Sequence, residues 1–227
     1  KFANKALDSV RIVLVGAGAA GTASLNLLLD LGVKKENVVV VDKVGVLHTG
    51  MTDLPPHMAQ FAAETEARTL SDALVGADVF IGVSAPNLLT PDMLLSMADN
   101  PIVFAMANPD PEIRPEVAQQ VRTDVIIATG RSDYPNQVNN VLCFPYLFRG
   151  ALDARSKEIN TAMKLAAVDA IANLTLEVVP EEVLASNNLS QLSFGREYIL
   201  PKANDPRVNA PVSGAVYQAA FDYGVAR

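Results

Sequence analysis

The most specific chemical signal in the sequence is the segment Gly-Ala-Gly-Ala-Ala-Gly at residues 16–21. Its spacing matches the G-x-G-x-x-G pattern. In that pattern the first glycine makes a tight turn, the second lets the backbone approach a pyrophosphate, and the third allows close packing of helix on strand. The N–H groups at the start of the following helix also attract phosphate. We therefore predict a pyrophosphate-binding turn made by Gly16, Ala17, Gly18, Ala19, Ala20 and Gly21.

Such a pattern also arises from packing alone, so the neighbouring elements have to support it. An apolar run at residues 10–15 precedes the turn as a buried strand, and residues 19–31 follow it with helical spacing. The next β-branched strand, residues 38–41, ends at Asp42, where an acid can bind the ribose hydroxyls of a dinucleotide. The preceding strand, the following helix and the acid at the end of the next strand are all present, and together they favour a dinucleotide site.

The choice between NAD and NADP depends on Asp42 and Lys43. A carboxylate at this place repels a 2′-phosphate and favours NAD. The adjacent lysine would neutralise such a phosphate, although a solvated lysine at the end of a strand is an equally simple interpretation. The sequence leaves the cofactor preference open.

Loops after the later strands supply further candidates, because ligands bind beyond the carboxyl ends of parallel strands. Ser84 and Ala85 are small enough for a cofactor to lie against the backbone there, or they form an ordinary tight turn. Asn108 precedes a proline that favours an extended backbone, and its amide would orient a carboxamide or a carboxylate. The polar tract at residues 130–140 is either a surface excursion or the wall of a site.

Other chemistries find little support. His48 and His57 have no metal-ligand spacing around them, and Cys143 has no histidine nearby to make it a nucleophile. A single cysteine excludes an internal disulfide and suits a reducing compartment, so we expect a cytoplasmic protein. No carboxylate cluster indicates a metal site.

Alternation of strands and helices predicts an α/β fold with a Rossmann-like, doubly wound parallel sheet. We expect strands at residues 10–15, 38–41, 78–83, 102–106 and 124–128 and helices at 19–31, 58–67, 70–75, 90–98, 114–121, from about 156 onward, 181–189 and 211–225. The apolar segment 141–148 has no clear assignment. We interpret residues 1–227 as one dinucleotide-binding domain, of which residues 151–227 are a mainly helical extension.

Composition narrows the possible partners of the 227-residue chain. The formal net charge is −7, from 18 basic and 25 acidic residues, which argues against binding to nucleic acid or to an anionic membrane surface. No apolar run approaches the length of about 20 residues that spans a bilayer. The chain begins with Lys1 rather than methionine, so we expect it to be a piece of a longer protein.

Several longer segments resemble the cofactor-binding domain of malic enzymes, particularly the bacterial type. They are VGAGAAG (15–21), AMANPDPEI (105–113), ATGRSDYPNQVNN (128–140), FRGALD (148–153) and DPRV (205–208). The third is highly specific to that family, and the resemblance runs over nearly the whole chain.

The resemblance implies NAD- or NADP-dependent oxidative decarboxylation of L-malate to pyruvate and carbon dioxide, with Mg²⁺ or Mn²⁺ in the complete enzyme. It implies pyrophosphate binding at residues 16–21, ribose binding at Asp42, and a place for Asn108 beside nicotinamide and malate. Asn139 and Asn140 would contact the substrate carboxylate region, and the family forms dimers or tetramers.

The family's metal ligands and its catalytic tyrosine and lysine precede the glycine pattern, in a stretch that this sequence does not include. We therefore assign no catalytic or metal-binding residue, and we expect the chain to bind cofactor without turning over malate. Two alternatives remain: another dehydrogenase of the same architecture, which the loop at 129–140 disfavours, and a non-catalytic nucleotide-binding or regulatory module.

Overall fold

A computed structural model describes residues 3–227 of the chain. These residues form two compact units, residues 3–134 and residues 135–227. No helix within residues 3–227 is both long enough and apolar enough to cross a membrane.

A six-stranded sheet forms the centre of the first unit. Its strands are β1 (Ile12–Val15), β2 (Val38–Asp42), β3 (Gly45–Val46), β4 (Val79–Gly82), β5 (Ile102–Ala105) and β6 (Ile126–Thr129). The order across the sheet is β3-β2-β1-β4-β5-β6, and all neighbours are parallel except β3, which is antiparallel to β2. The strand order therefore reverses between β1 and β4, which is where doubly wound sheets bind their ligands.

Helices of the first unit are α1 (Ala19–Asp30), α2 (Pro56–Ala59), α3 (Leu70–Leu74), α4 (Pro91–Ser96) and α5 (Pro115–Val121). The central strands are buried on both faces, so alternate residues enter different cores. Val13 and Val15 pack with residues of α3, α4 and α5, whereas Ile12 and Leu14 pack with Leu25 of α1. This two-sided burial explains why the strands are continuous apolar runs.

The second unit is helical. Its helices are α6 (Tyr146–Asp153), α7 (Thr161–Leu174), α8 (Glu181–Ser186) and α9 (Asn209–Asp222). Its core contains Met163, Ala167 and Leu174 of α7, which are buried. Helix α7 begins at Thr161 rather than near residue 156, because the Asn160 side chain accepts a hydrogen bond from the Met163 N–H at 3.0 Å and caps the helix there.

Five predicted strands are confirmed with ends that move by one or two residues, and the mixed α/β fold class is confirmed. The sequence did not predict β3, since two residues carry no periodicity. The predicted helix at 58–67 is wrong beyond Ala59. Ala63 instead pairs its backbone with the segment after β3, donating from its N–H to the Leu47 carbonyl at 3.0 Å and accepting from the Thr49 N–H at 3.1 Å.

Candidate functional site

The glycine-rich turn connects β1 to α1 at the point of strand-order reversal. Gly16 has a φ of +106°, and a Cβ atom there would lie 2.8 Å from the Val83 carbonyl oxygen. A Cβ atom at Gly21 would overlap the Gly16 carbonyl. Backbone conformation and packing therefore require these two glycines before any ligand is considered.

Gly18 is different, because a Cβ atom there would meet nothing within 4 Å. It is exposed and precedes α1 as its N-cap, and no side chain caps the first N–H groups of this 12-residue helix. Ala19 and Ala20, in the first turn, are exposed as well. The N-terminus of α1 therefore presents main-chain donors and a partial positive charge, an arrangement suited to an anionic group.

Asp42 is joined directly to this turn. Its Oδ2 accepts a hydrogen bond from the Ala17 N–H at 2.6 Å, and its Oδ1 accepts one from the Lys43 N–H at 2.7 Å. The carboxylate is half-buried beside the turn, whereas Lys43 is exposed. The predicted ribose-binding acid and the predicted pyrophosphate turn therefore lie side by side.

Loops after β4 and β5 continue the same edge of the sheet. Ser84 and Ala85 are exposed in the loop after β4, and this loop borders the turn because a Cβ atom at Gly16 would lie 3.3 Å from the Ser84 Cβ. Asn108 is exposed after β5, and its peptide bond to Pro109 is cis. Its amide lies against Gly130 after β6, where an added Cβ would be 3.2 Å from the Asn108 Nδ2.

A polar network orders the start of the loop after β6. Arg131 forms a two-point ion pair with Asp133 at 2.9 and 2.7 Å, and its guanidinium lies 5.5 Å from the centre of the Tyr134 ring. The Tyr134 hydroxyl donates to Glu116 at 2.8 Å, and this bond raises the pKa of Tyr134. Hydrogen bonds from Arg131 lower the pKa of Asp133. The segment is thus held by side chains rather than by regular secondary structure.

Asn139 and Asn140 belong to the second unit and are both exposed. The Asn139 side chain accepts from the Val141 N–H at 3.0 Å and caps a short 3-10 helix at residues 140–142. The buried asparagine of this tract is Asn136, which the sequence analysis did not single out. It donates to the Arg196 carbonyl at 2.7 Å and accepts from the Ile199 N–H at 3.0 Å, so it fastens the tract to residues 196–199.

Glu112 is a second residue that the sequence analysis missed. It is 0% exposed in the first unit and accepts hydrogen bonds from main-chain N–H groups of two loops of the site. The sequence carries no signal for this role, because a glutamate in a Pro-rich loop looks like a solvated residue.

Within residues 3–227, no group of three or more His, Cys, Asp or Glu side chains is placed to hold a metal ion. Burial raises the pKa of the Cys143 thiol, which makes a reactive thiolate less accessible. The arrangement at the carboxyl edge of the sheet is therefore one for binding an anionic, extended ligand through main-chain donors.

Comparison with known proteins gives a consistent result. The family described as "Malic enzyme, NAD binding domain" matches residues 1–194. The NADP-dependent malic enzyme of Halomonas elongata is 55% identical over 226 residues, which are 100% of this chain and 54% of that protein. The NAD-dependent malic enzyme of Geobacillus stearothermophilus is 47% identical over 232 residues, covering 100% of this chain and 45% of that protein.

Solved structures agree in fold. The malic enzyme of Entamoeba histolytica matches with a TM-score of 0.87 and 30% identity, over 100% of this chain and 46% of that one. The malic enzyme of Pyrococcus horikoshii matches with a TM-score of 0.86 and 37% identity, over 100% of this chain and 51% of that one. The chain thus spans about half the length of these relatives.

Proposed function

Because the chain belongs to the malic enzyme family through its NAD-binding domain, we propose that its first unit binds NAD or NADP at the carboxyl edge of the sheet. We propose further that it serves as the cofactor-binding part of an oxidoreductase that decarboxylates L-malate to pyruvate and carbon dioxide. The contact between Asp42 and Ala17 carries the proposal, since it joins the ribose-binding acid to the pyrophosphate turn.

Each site residue receives a role on this basis. The turn at residues 16–21 binds the pyrophosphate through the uncapped N–H groups at the start of α1, and Asp42 accepts from the adenosine ribose. If the cofactor is NADP, Lys43, which is exposed next to Asp42, neutralises its 2′-phosphate. The exposed loop of Ser84 and Ala85 lies along the dinucleotide, and Asn108 orients the nicotinamide carboxamide or the malate carboxylate. Asn139 and Asn140 bind the substrate carboxylate region.

Once bound, the dinucleotide supplies the acceptor for the hydride that leaves the hydroxyl carbon of malate. The chain's own contribution is orientation, because its donors are main-chain groups fixed by the sheet and by α1. The Mg²⁺ or Mn²⁺ of the family has no fitting ligand set within residues 3–227, so we derive no step through a metal ion here.

Calorimetric titration of the chain with NAD⁺ and with NADP⁺, in the absence of malate and Mn²⁺, tests the proposal. Saturable binding of either is expected, and the stronger one gives the cofactor preference. Gly18→Asp should abolish it, because it adds a carboxylate where the pyrophosphate approaches. Gly214→Ala is the control, since it changes an open position in α9 of the other unit. No binding of either dinucleotide would contradict the proposal.

We further propose that the protein forms a homo-oligomer, a dimer or a tetramer. Two helices of the second unit expose apolar side chains at four-residue spacing, Phe148 and Leu152 on α6 and Tyr217 and Phe221 on α9. Clustered apolar side chains on a surface are typical of contact surfaces, and the centres of the Tyr217 and Phe221 rings lie 4.9 Å apart. Sedimentation velocity should show a concentration-dependent dimer or tetramer that Leu152→Asp weakens, and a monomer at all concentrations would contradict this.

We also propose that the protein acts in the cytoplasm without nucleic-acid or membrane partners, as its acidic balance and single cysteine favour. Fractionation of cells that express a tagged full-length protein would test this, and recovery with membranes would count against it.

A further inference from the structure

Glu112 has an environment that is unusual for a glutamate, since its side chain is 0% exposed. Its Oε1 accepts a hydrogen bond from the Ser84 N–H at 3.2 Å, and its Oε2 accepts one from the Ala107 N–H at 3.1 Å. A buried carboxyl group is costly unless its oxygens are bonded, and here each oxygen has a main-chain donor.

These two donors lie in different loops of the candidate site. Ser84 follows β4, and Ala107 follows β5 immediately before Asn108. The backbone around Glu112 strengthens the connection, because the Glu112 carbonyl accepts from Leu89 N–H at 3.0 Å and the Pro111 carbonyl accepts from Asn87 N–H at 3.1 Å. Glu112 therefore binds both loops through its side chain, and it also binds the loop after β4 through its main-chain carbonyl.

Gly82, the last residue of β4, leaves the space that the carboxyl group occupies. A Cβ atom at Gly82 would overlap the Glu112 carboxyl group. The carboxylate is consequently seated against the end of β4 and cannot swing to another position without breaking both hydrogen bonds.

We propose that Glu112 is a positioning residue that holds the loops after β4 and β5 in the form that binds the nicotinamide half of the dinucleotide. This inference rests on the proposed function, which places Ser84, Ala85 and Asn108 along the cofactor. The turn at residues 16–18 and Asp42, which would bind the other half, have no hydrogen bond to Glu112. Loss of Glu112 should therefore weaken binding of the nicotinamide half and leave binding of the other half nearly unchanged.

Glu112→Gln is the appropriate variant because it keeps the size of the side chain. A carboxamide has one acceptor oxygen, and its NH₂ group would face a second N–H donor, so either Ser84 or Ala107 loses its partner. Asp124→Asn is the matched control. Asp124 also accepts a main-chain hydrogen bond, from the Asn100 N–H at 2.7 Å, but at the opposite, amino edge of the sheet.

The experiment compares the whole dinucleotide with ADP-ribose, or its 2′-phosphate if NADP⁺ is preferred, which lacks the nicotinamide ring. We expect Glu112→Gln to raise the Kd of the dinucleotide about tenfold or more and to change the Kd of ADP-ribose less than about twofold. The fluorescence of bound NADH or NADPH, which reports the surroundings of the ring, should fall towards that of the free dinucleotide. Asp124→Asn should change none of these.

The inference would be overturned if Glu112→Gln raised the Kd of the dinucleotide and of ADP-ribose equally, or raised neither. It would also be overturned by a wild-type chain that binds ADP-ribose as tightly as the dinucleotide, because the loops would then contribute nothing. These outcomes differ from failure of the proposed function, in which wild-type chain binds neither ligand.

A second measurement needs no variant and covers the case in which Glu112→Gln fails to fold. Amide hydrogen exchange of the ligand-free wild-type chain should show the Ser84 and Ala107 N–H groups protected about 100-fold or more relative to an unstructured peptide. Ser84 is otherwise exposed, so its protection would come from Glu112. Exchange of both amides at the unstructured rate would overturn the inference.

Discussion

Gly18 differs from the other two glycines of the turn in its surroundings, and this difference makes a prediction about stability. A methyl group at Gly21 would overlap the Gly16 carbonyl, whereas one at Gly18 would enter open space. Gly21→Ala should therefore lower the free energy of unfolding by about 1–3 kcal/mol, and Gly18→Ala should change it by less than about 0.5 kcal/mol. Urea unfolding followed by circular dichroism would measure both, and equal stability of the two variants would contradict the argument.

Asp124 gives the first unit a dependence of stability on pH. Hydrogen bonding from Arg122 lowers the pKa of Asp124 from 3.8 to about 2. A depressed carboxyl pKa stabilises the folded state above the unfolded pKa of about 4, and this stabilisation is lost as the pH falls towards about 2. The free energy of unfolding of the wild-type chain should therefore decline more steeply between pH 5 and pH 3 than that of Asp124→Asn. Parallel declines in urea titrations at these pH values would count against this assignment.

The candidate residues that the sequence predicts are those whose signal lies in their neighbours along the chain. Residues 16–21 and Asp42 were identified because the turn, the helix start and the strand end are local patterns. Glu112 and Asn136 were missed, since each binds main-chain groups that lie far away in sequence, 28 residues for Ser84 and 60 for Arg196. Nothing in the residues next to a buried polar side chain reveals which distant amide it will meet.

Among the elements, the crossing of α6 and α9 depends on Gly150. A Cβ atom there would overlap the Ser213 carbonyl of α9, so the two helices could not keep their present separation. Gly150→Ala should destabilise the second unit by about 2 kcal/mol. Gly214→Ala, one residue further along α9, meets nothing within 4 Å and should stabilise that helix by up to about 1 kcal/mol. Thermal unfolding of both variants would show opposite shifts in Tm if the crossing is tight as described.

Elements with a strong apolar pattern were predicted well. Elements whose structure depends on contacts with distant parts of the chain were not. The β-branched runs of β1 and β2 are apolar at nearly every position because both faces are covered, which makes them recognisable. Helix α6 was left unassigned because its apolar residues face both the core and the surface, Ala151 being 7% and Leu152 73% exposed. The segment after Ala59 follows helical spacing in sequence, yet at Ala63 the backbone bonds to Leu47 and Thr49, after β3.

For the whole molecule, we predict that this chain binds the cofactor but lacks the groups that carry out the reaction. The polypeptide of this sequence should bind the dinucleotide but show no malate-dependent reduction of NAD⁺ or NADP⁺, even with Mn²⁺ present. The physical reason is that the proposed site would orient the dinucleotide through main-chain donors, whereas residues 3–227 contain no group of three or more His, Cys, Asp or Glu side chains that could hold a metal ion. Spectrophotometry at 340 nm would detect turnover. Activity that survives purification and disappears with Gly18→Asp would contradict this prediction.

An experiment on the full-length protein distinguishes the two possible roles of the chain, as the cofactor part of an enzyme or as a regulatory module. If the chain is the cofactor part of an enzyme, Asn139→Ala in the full-length protein should lower malate turnover strongly. Altered binding to a protein partner with unchanged malate kinetics would instead favour a sensor of dinucleotide levels.

The short strand β3 also influences how the sheet behaves towards other chains. An exposed sheet edge invites a foreign strand to add to it, which is one route to fibrils. Here β3 is only two residues long, and the Val46 N–H is already bonded to the Arg68 carbonyl at 3.1 Å. A Cβ atom at Gly45 would lie 2.8 Å from that same carbonyl, so the backbone is closely covered. This side of the sheet should therefore resist amyloid-like growth when the protein is concentrated.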